Sequence, residues 1–362
     1  MITPPIEPML AKPWGSSVPE DTAGLSFEPK WDGFRCLVFR SPDGVVLQGR
    51  GRSRTSADDV IDLAYAFPEL VESCLQQLPP GTVIDAEIVV AHDGRLDFTV
   101  LSSRLRPRSE AGGPNIARLA EQHPASLLAF DLLWDGSDLR ALPFDRRRKR
   151  LVELATGWTP PLLLTPNTSD ARLAADWFRD FEAAGVDGIM VKAVADPYTE
   201  GKRTQGKIKH QRTVDAVVAG WRPHARPGAD GQDVVGSLLL GLFDGQGRLQ
   251  YMGAASAFTA KVRAELVGLL APLATDDDGA HPWRDSPDVR VPGEANRWKK
   301  EQAWRAVRPE LVAEVTYDQL EAGRFRHVAG FVRWRPDRAP ETCTDAQLDH
   351  PAPAAITDLL PH

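Results

Sequence analysis

The run Thr82-Val83-Ile84-Asp85-Ala86-Glu87-Ile88-Val89-Val90 constrains this chain more than any other stretch of its sequence. Side chains of a strand alternate between faces, so Asp85 and Glu87 share one side while Ile84, Ala86, Ile88 and Val90 share the other. A strand of this kind packs its apolar face on a core. Its acidic face is left either to solvent or to a charged site, and the alternation alone leaves both open. Lys207 and Lys209 also share a face by parity, which suits one anionic group or a solvated strand. Lys30-Trp31-Asp32-Gly33-Phe34-Arg35 is a third charged segment in a strand-like setting. By itself the Lys30/Asp32 spacing fits an exposed ion pair, contributing under about 1 kcal/mol, as well as it fits a nucleophile. Phe130, in Ser126–Trp134, reads by itself as a core aromatic of an apolar strand. Taken together, an attacking lysine, carboxylates for a metal and paired lysines for a phosphate are the parts that phosphoryl or nucleotidyl transfer needs, because that chemistry depends on neutralising charge.

Residues 26–40 and 45–49 read as two strands joined at the turn Ser41-Pro42-Asp43-Gly44. Val71, Cys74, Leu75 and Leu78 follow helical spacing up to Pro79. Strand-like runs recur at 82–90, 126–134 and 187–192. Between the last two the pattern predicts a helix capped at Ser169, with Leu173, Trp177, Phe178 and Phe181 inward and Gly185 ending it. Beyond residue 213 short strands follow closely, with a helix around 258–273 and further strands at 311–317 and 328–335. Such spacing suits a small closed barrel, an OB-fold or another. At 362 residues the chain exceeds what one core usually serves, so two domains are expected, 1–212 and 213–362.

The net charge of −7 weighs against a nucleic-acid partner. The distribution weighs the other way: basic residues gather at Arg50, Arg52 and Arg54, at Arg104, Arg106 and Arg108, at Arg146–Arg150 and from Lys202 to Arg212. Cys36, Cys74 and Cys343 are scattered and odd in number, which argues for structural thiols and against a disulfide framework or a four-cysteine zinc module. No stretch approaches the roughly 18 apolar residues of a membrane span, and the N-terminus lacks the pattern of a secretion signal, so a cytoplasmic protein is expected.

The order of these motifs resembles that of the covalent nucleotidyltransferases, which comprise ATP-dependent DNA ligases, RNA ligases and mRNA capping enzymes, over nearly the whole chain. Lys30-Trp31-Asp32-Gly33 with Arg35 is similar to the nucleotide-attachment motif, and Arg50 to the arginine of the next strand, with Arg52 an alternative. Asp85-Ala86-Glu87 resembles D-G-E with alanine for glycine. Phe130-Asp131 resembles the base-stacking motif. Asp187-Gly188-Ile189-Met190-Val191-Lys192 resembles E-G-h-h-h-K with a shorter carboxylate, and Lys207-Ile208-Lys209 resembles K-x-K. Arg335-Pro336-Asp337-Arg338-Ala339-Pro340 resembles R-x-D-K-x-P at the end of an OB domain. The layout is most like that of the minimal bacterial ATP-dependent DNA ligases of the ligase C kind and the ligase domain of end-joining ligases.

The resemblance implies an α+β fold: an adenylation domain of antiparallel sheets flanked by helices, then an all-β OB-fold domain carrying a C-terminal tail. It implies ATP and Mg2+ (or Mn2+) as cofactors, nicked or broken double-stranded DNA as partner, and a monomer. Lys30 would carry AMP. Asp32 would orient the amine or hold the metal with Glu87 and Asp187. Glu28, Phe130 and Met190 would hold adenine, while Arg35 and Glu87 would contact ribose. Arg50 and Lys192 would complete the nucleotide site, and Lys207 and Lys209 would neutralise the α-phosphate. Arg335, Asp337 and Arg338 would orient pyrophosphate. Two alternatives stay open: an RNA-sealing or capping enzyme on the same scaffold, and a non-catalytic barrel that binds single strands. An NAD-dependent ligase would be expected to carry a cysteine-rich zinc module, and the chain has too few cysteines for one.

Overall fold

A single strand over residues 26–40, as the hairpin signal at Ser41–Gly44 predicts, is not what forms. The chain makes one strand to Trp31 and another from Phe34, and the two belong to different sheets. This computed structural model describes residues 1–52, 60–105, 113–228, 231–275, 281–284, 289–292, 303–321, 323–348, 355, 356 and 359. It divides into two compact units, Met1–Lys209 with Pro351–His362, and His210–His350.

The strands of the first unit are β1 (Leu10–Gly15), β2 (Leu25–Trp31), β3 (Phe34–Ser41), β4 (Gly44–Arg52), β5 (Val60–Asp62), β6 (Thr82–His92), β7 (Arg95–Leu96), β8 (Ala125–Asp135), β9 (Leu162–Leu164), β10 (Val186–Ala193) and β11 (Arg203–Ile208). One sheet has the order β1-β11-β10-β2; the other runs β5-β4-β3-β6-β8-β9, with β7 on β6. Pairing is antiparallel except for β1 with β11 and β8 with β9. Those pairings join segments distant in sequence, which is why β1 shows no hairpin signal. The helices are α1 (Pro68–Gln77), α2 (Phe98–Ser103), α3 (Gly113–Gln122), α4 (Phe144–Leu154) and α5 (Ala171–Asp180).

The apolar face of β6 behaves as its alternation requires. Ile84, Ala86, Ile88 and Val90 are buried with Cys36, Val38 and Leu47 under Leu70 and Cys74 of α1. Ala86 therefore sits in a core, where a methyl group packs and glycine is not needed. A second core of Phe27, Trp31, Val89, Leu128, Ile189, Val191 and Ile208 draws on both sheets. Helix α5 differs from expectation in two respects. Its cap is Asp170, whose side chain accepts from Arg172 N, and Leu173 is 41% exposed while Trp177 is buried. The buried stripe thus runs through Ala174 and Trp177, starting one residue later than the spacing suggests.

In the second unit β12 (Arg212–Pro223), β13 (Val235–Phe243), β14 (Leu249–Ser256), β15 (Arg305–Tyr317) and β18 (Ala329–Trp334) close a barrel in the order β12-β13-β14-β18-β15. A short hairpin of β16 (Leu320–Glu321) and β17 (Arg324–Phe325) precedes β18. Helix α6 (Ala260–Leu270), capped by Thr259, lies between β14 and β15 in sequence. Five strands in this order, with β14 and β18 parallel, make an OB-type barrel. The tail does not pack as expected with the barrel: Ile356 and Leu359 join the core of Phe27 and Trp31, and Ile356 N donates to Gly94 O at 2.7 Å. Among the described residues no helix is long and apolar enough to cross a membrane.

Candidate active site

Gly33 sets the break between β2 and β3. A Cβ there would lie 2.2 Å from the Ile88 carbonyl oxygen on β6, so a side chain would push the two sheets apart. Lys30, close to this crossing, lines a cavity of about 260 Å³ walled by both sheets. Register builds one wall: Glu28 of β2 pairs with Met190 of β10, which pairs with Lys207 of β11. Glu28, Lys30, Arg35, Arg50, Glu87, Phe130, Met190, Lys192, Lys207 and Lys209 all line this one space.

Gly188 plays on β10 the part that Gly33 plays after β2. Its φ is +132°, and a Cβ would fall 2.0 Å from Ile208 O and 3.1 Å from Lys209 Cα. The resulting close approach sets Asp187 between two lysines. Its carboxylate pairs with Lys30 Nζ and, at 2.8 Å, with Lys209 Nζ. Burial alone would raise the Asp187 pKa, but the two lysines outweigh it and hold the carboxyl below its ordinary range. Lys207 shifts down from the ordinary lysine value, first through burial and then through Lys209 and Lys30 beside it.

Arg35 grips Asp85 with two bonds of 2.5 Å, and Tyr198 donates its hydroxyl to Asp85 Oδ2 at 2.7 Å. The Tyr198 oxygen accepts from Met9 N at 3.1 Å, which ties the segment leading into β1 to Asp85 on β6. Glu87, one register step along β6, is pushed up to about 7 by burial, against the pull of Arg35 and Lys30. Glu28 is buried. Lys192 Nζ stands 2.5 Å from its Oε2 and Arg148 Nη1 3.8 Å from its Oε1. Glu28 Oε1 has no hydrogen-bond partner among the described residues. Burial lowers the Lys192 pKa despite Glu28. The Phe130 ring faces the cavity, with Arg35 4.6 Å and Lys192 4.7 Å from its centroid.

The expected metal ligands are not gathered into a cage. Among the described residues no group of three His, Cys, Asp or Glu side chains is placed to hold a metal ion. Asp32 does not line the cavity, and Asp187 is engaged by lysines. Mg2+ is commonly held by one or two carboxylates together with substrate phosphates. Glu87, on the cavity wall, fits that mode.

In the barrel unit Arg335 pairs with Asp337, Nη2 to Oδ2 at 2.8 Å, and its Nη1 donates to both carboxylate oxygens of Asp215 at 2.9 and 3.0 Å. Asp215 was not legible from the motif, nor were Asp85 as the partner of Arg35, Tyr198 or Arg148. For Arg148 a signal exists. Phe144, Arg147, Arg148 and Leu151 fall at i, i+3, i+4 and i+7 of α4, the buried stripe. The run Arg146–Arg150 is therefore not a uniformly solvated basic face: Arg147 is buried and bonds Asp131 at 2.8 and 2.9 Å. Arg104 is likewise buried, 2.9 Å from Glu69. Arg54, Arg106, Arg108 and the Arg52 side chain lie outside the described residues.

Residues 8–210 match the family described as ATP dependent DNA ligase domain, and residues 231–338 match ATP dependent DNA ligase C terminal region. The chain belongs to the ATP-dependent DNA ligases. It is 41% identical to DNA ligase C of Mycobacterium tuberculosis over 99% of this chain and 98% of that protein. DNA ligase C2 of Mycolicibacterium smegmatis is 43% identical over 97% of this chain and 96% of its own length. A structure solved for a study of Lig E DNA ligases covers 91% of this chain and 99% of its own at 18% identity and a TM-score of 0.55, a likeness of fold.

Proposed function

We propose that this chain is an ATP-dependent DNA ligase that carries AMP on Lys30, passes it to a 5′-phosphate and seals the break to the adjoining 3′-hydroxyl. The observation that carries the reading is the placement of Lys30. Its amine lies beside Asp187, Lys207 and Lys209 on the wall of a cavity whose other residues suit adenine and ribose.

ATP enters with its base between Phe130 and Met190, and Glu28 Oε1, which makes no hydrogen bond among the described residues, accepts from the exocyclic amine. Arg35, held by Asp85, faces the ribose. Lys30 Nζ, its amine having given up a proton to solvent, attacks the α-phosphorus; a P–N bond forms, and the P–O bond to pyrophosphate breaks. Lys207 and Lys209 offset the charge that builds on the phosphate. A divalent ion held by Glu87 and the phosphates would supply further charge neutralisation. Arg335, Asp337 and Arg338 orient the departing pyrophosphate. A 5′-phosphate oxygen of DNA then displaces Lys30 from phosphorus. Finally the 3′-hydroxyl attacks that 5′-phosphorus, and AMP leaves.

The test uses the purified chain with labelled ATP or GTP, then nicked duplex DNA and nicked duplex RNA. Labelling by ATP and sealing of DNA are expected. Lys30→Ala should abolish labelling yet still close a nick already carrying AMP, since the nucleophile serves only before that point. Sealing of RNA alone, or labelling that survives Lys30→Ala, would overturn the reading.

A further inference from the structure

The barrel motif Arg335-Pro336-Asp337-Arg338 is built around a residue outside it. Asp215 lies on β12, paired in register with Glu314 of β15. Its Oδ1 and Oδ2 accept from Arg335 Nη1 at 2.9 and 3.0 Å, and its Oδ2 lies 3.3 Å from Arg338 Nε. On its other flank Arg335 is bonded by Asp337 through Nε at 2.9 Å and Nη2 at 2.8 Å. The Asp215 backbone is pinned as well. Its N–H donates to Gln347 Oε1 at 3.3 Å, and its carbonyl accepts from Gln347 Nε2 at 3.2 Å. The Asp215 side chain is 11% exposed and that of Arg335 18%, whereas Asp337 is 62% exposed. The more buried carboxylate is thus the anchor, and Asp337 is the solvent-facing one.

A guanidinium binds phosphate oxygens best when its plane is fixed beforehand, because an arginine loses much rotamer entropy when it is immobilised. Asp215 reaches both Arg335 and Arg338 from one rigid strand position, whereas Asp337 is in hydrogen-bond contact with Arg335. We propose that Asp215 is a positioning residue that holds the Arg335 and Arg338 guanidiniums side by side as one clamp for the pyrophosphate of ATP. This rests on the reading that Arg335 and Arg338 serve the first step.

Three variants of the full chain separate the two ideas: Arg335→Ala, Asp215→Asn and the double variant. Self-labelling by ATP is timed in single turnover, and closure of a pre-adenylated nick is timed alongside. Asp215→Asn keeps the size and loses the charge. It should slow labelling by about tenfold or more, the scale of one charge-assisted bond, while leaving closure within about twofold. Added to Arg335→Ala, the Asp215→Asn change should slow labelling by less than it does alone, since part of its effect runs through Arg335 and the rest through Arg338. If Arg335→Ala labels at the native rate, the pyrophosphate reading of the motif falls. If Arg335→Ala is slow but Asp215→Asn is not, or if Asp215→Asn slows closure equally, or if the two effects add, the positioning role falls and Asp215 is a strand residue only.

Discussion

Replacing Tyr198 with Phe deletes one hydroxyl from a buried chain of contacts and keeps the ring. The hydroxyl donates to Asp85 Oδ2 at 2.7 Å and accepts from Met9 N at 3.1 Å. Asp85, Met9 and Tyr198 are 0%, 2% and 5% exposed, so water does not replace the lost partner. Burial and the neighbouring Asp85 push the tyrosine's pKa well above its ordinary value, so the group is a hydroxyl donor across the neutral range. A hydrogen bond to a charged acceptor contributes about 1.5–3 kcal/mol, and a buried orphaned N–H costs about 1–3 kcal/mol. After partial relaxation a loss of about 3 kcal/mol is expected. For a unit of this size each kcal/mol moves the midpoint by roughly 2–4 °C, which gives a fall of about 6–12 °C. The same loss removes one of the bonds that fix Asp85 and, through it, Arg35, so the ATP concentration giving half-maximal self-labelling should rise severalfold. Thermal unfolding and an ATP titration of labelling test this together. A midpoint within about 2 °C of native, with an unchanged ATP dependence, would refute the argument that Tyr198 orders the site.

Two further perturbations act on the same cavity. Gly188→Ala puts a Cβ 2.0 Å from Ile208 O at a φ of +132°, so Asp187 must move off Lys209; self-labelling should slow by about tenfold or more, and a native rate would show that the close approach is dispensable. Glu87→Gln should change stability in a pH-dependent way. The Glu87 pKa is raised to about 7 in the folded chain, so its contribution is fully present below its unfolded pKa and is lost as pH rises through about 7. The native chain should therefore lose on the order of 3 kcal/mol relative to the Gln variant between about pH 4.5 and pH 8. Urea midpoints of both proteins across that range check it, and a difference independent of pH would contradict the burial of that carboxyl.

What the sequence shows directly is whatever depends on neighbours along the chain. The two faces of Thr82–Val90 follow from alternation, and the structure places the apolar one in a core and Glu87 on a cavity wall. The shared faces of Glu28 with Lys30 and of Lys207 with Lys209 likewise follow from parity. What the sequence does not show depends on partners distant in the chain. The break at Asp32-Gly33 reflects the carbonyl of Ile88, and the packing of Ile356 and Leu359 reflects Phe27 and Trp31. Arg104 and Arg147 look like solvent charges until Glu69 and Asp131 are found beside them. Tyr198 sits in a polar stretch without periodicity, so nothing local marks it. Asp215 looks like a polar break in an apolar strand until Arg335 arrives 120 residues later.

The central claim is that Lys30 becomes covalently linked to AMP. The intact mass of the purified chain, taken after incubation with ATP and magnesium, tests it most directly. A gain equal to one AMP is predicted, lost on adding pyrophosphate and absent from Lys30→Ala. A native mass unchanged by ATP, or a Lys30→Ala protein that gains the same increment, would contradict the account.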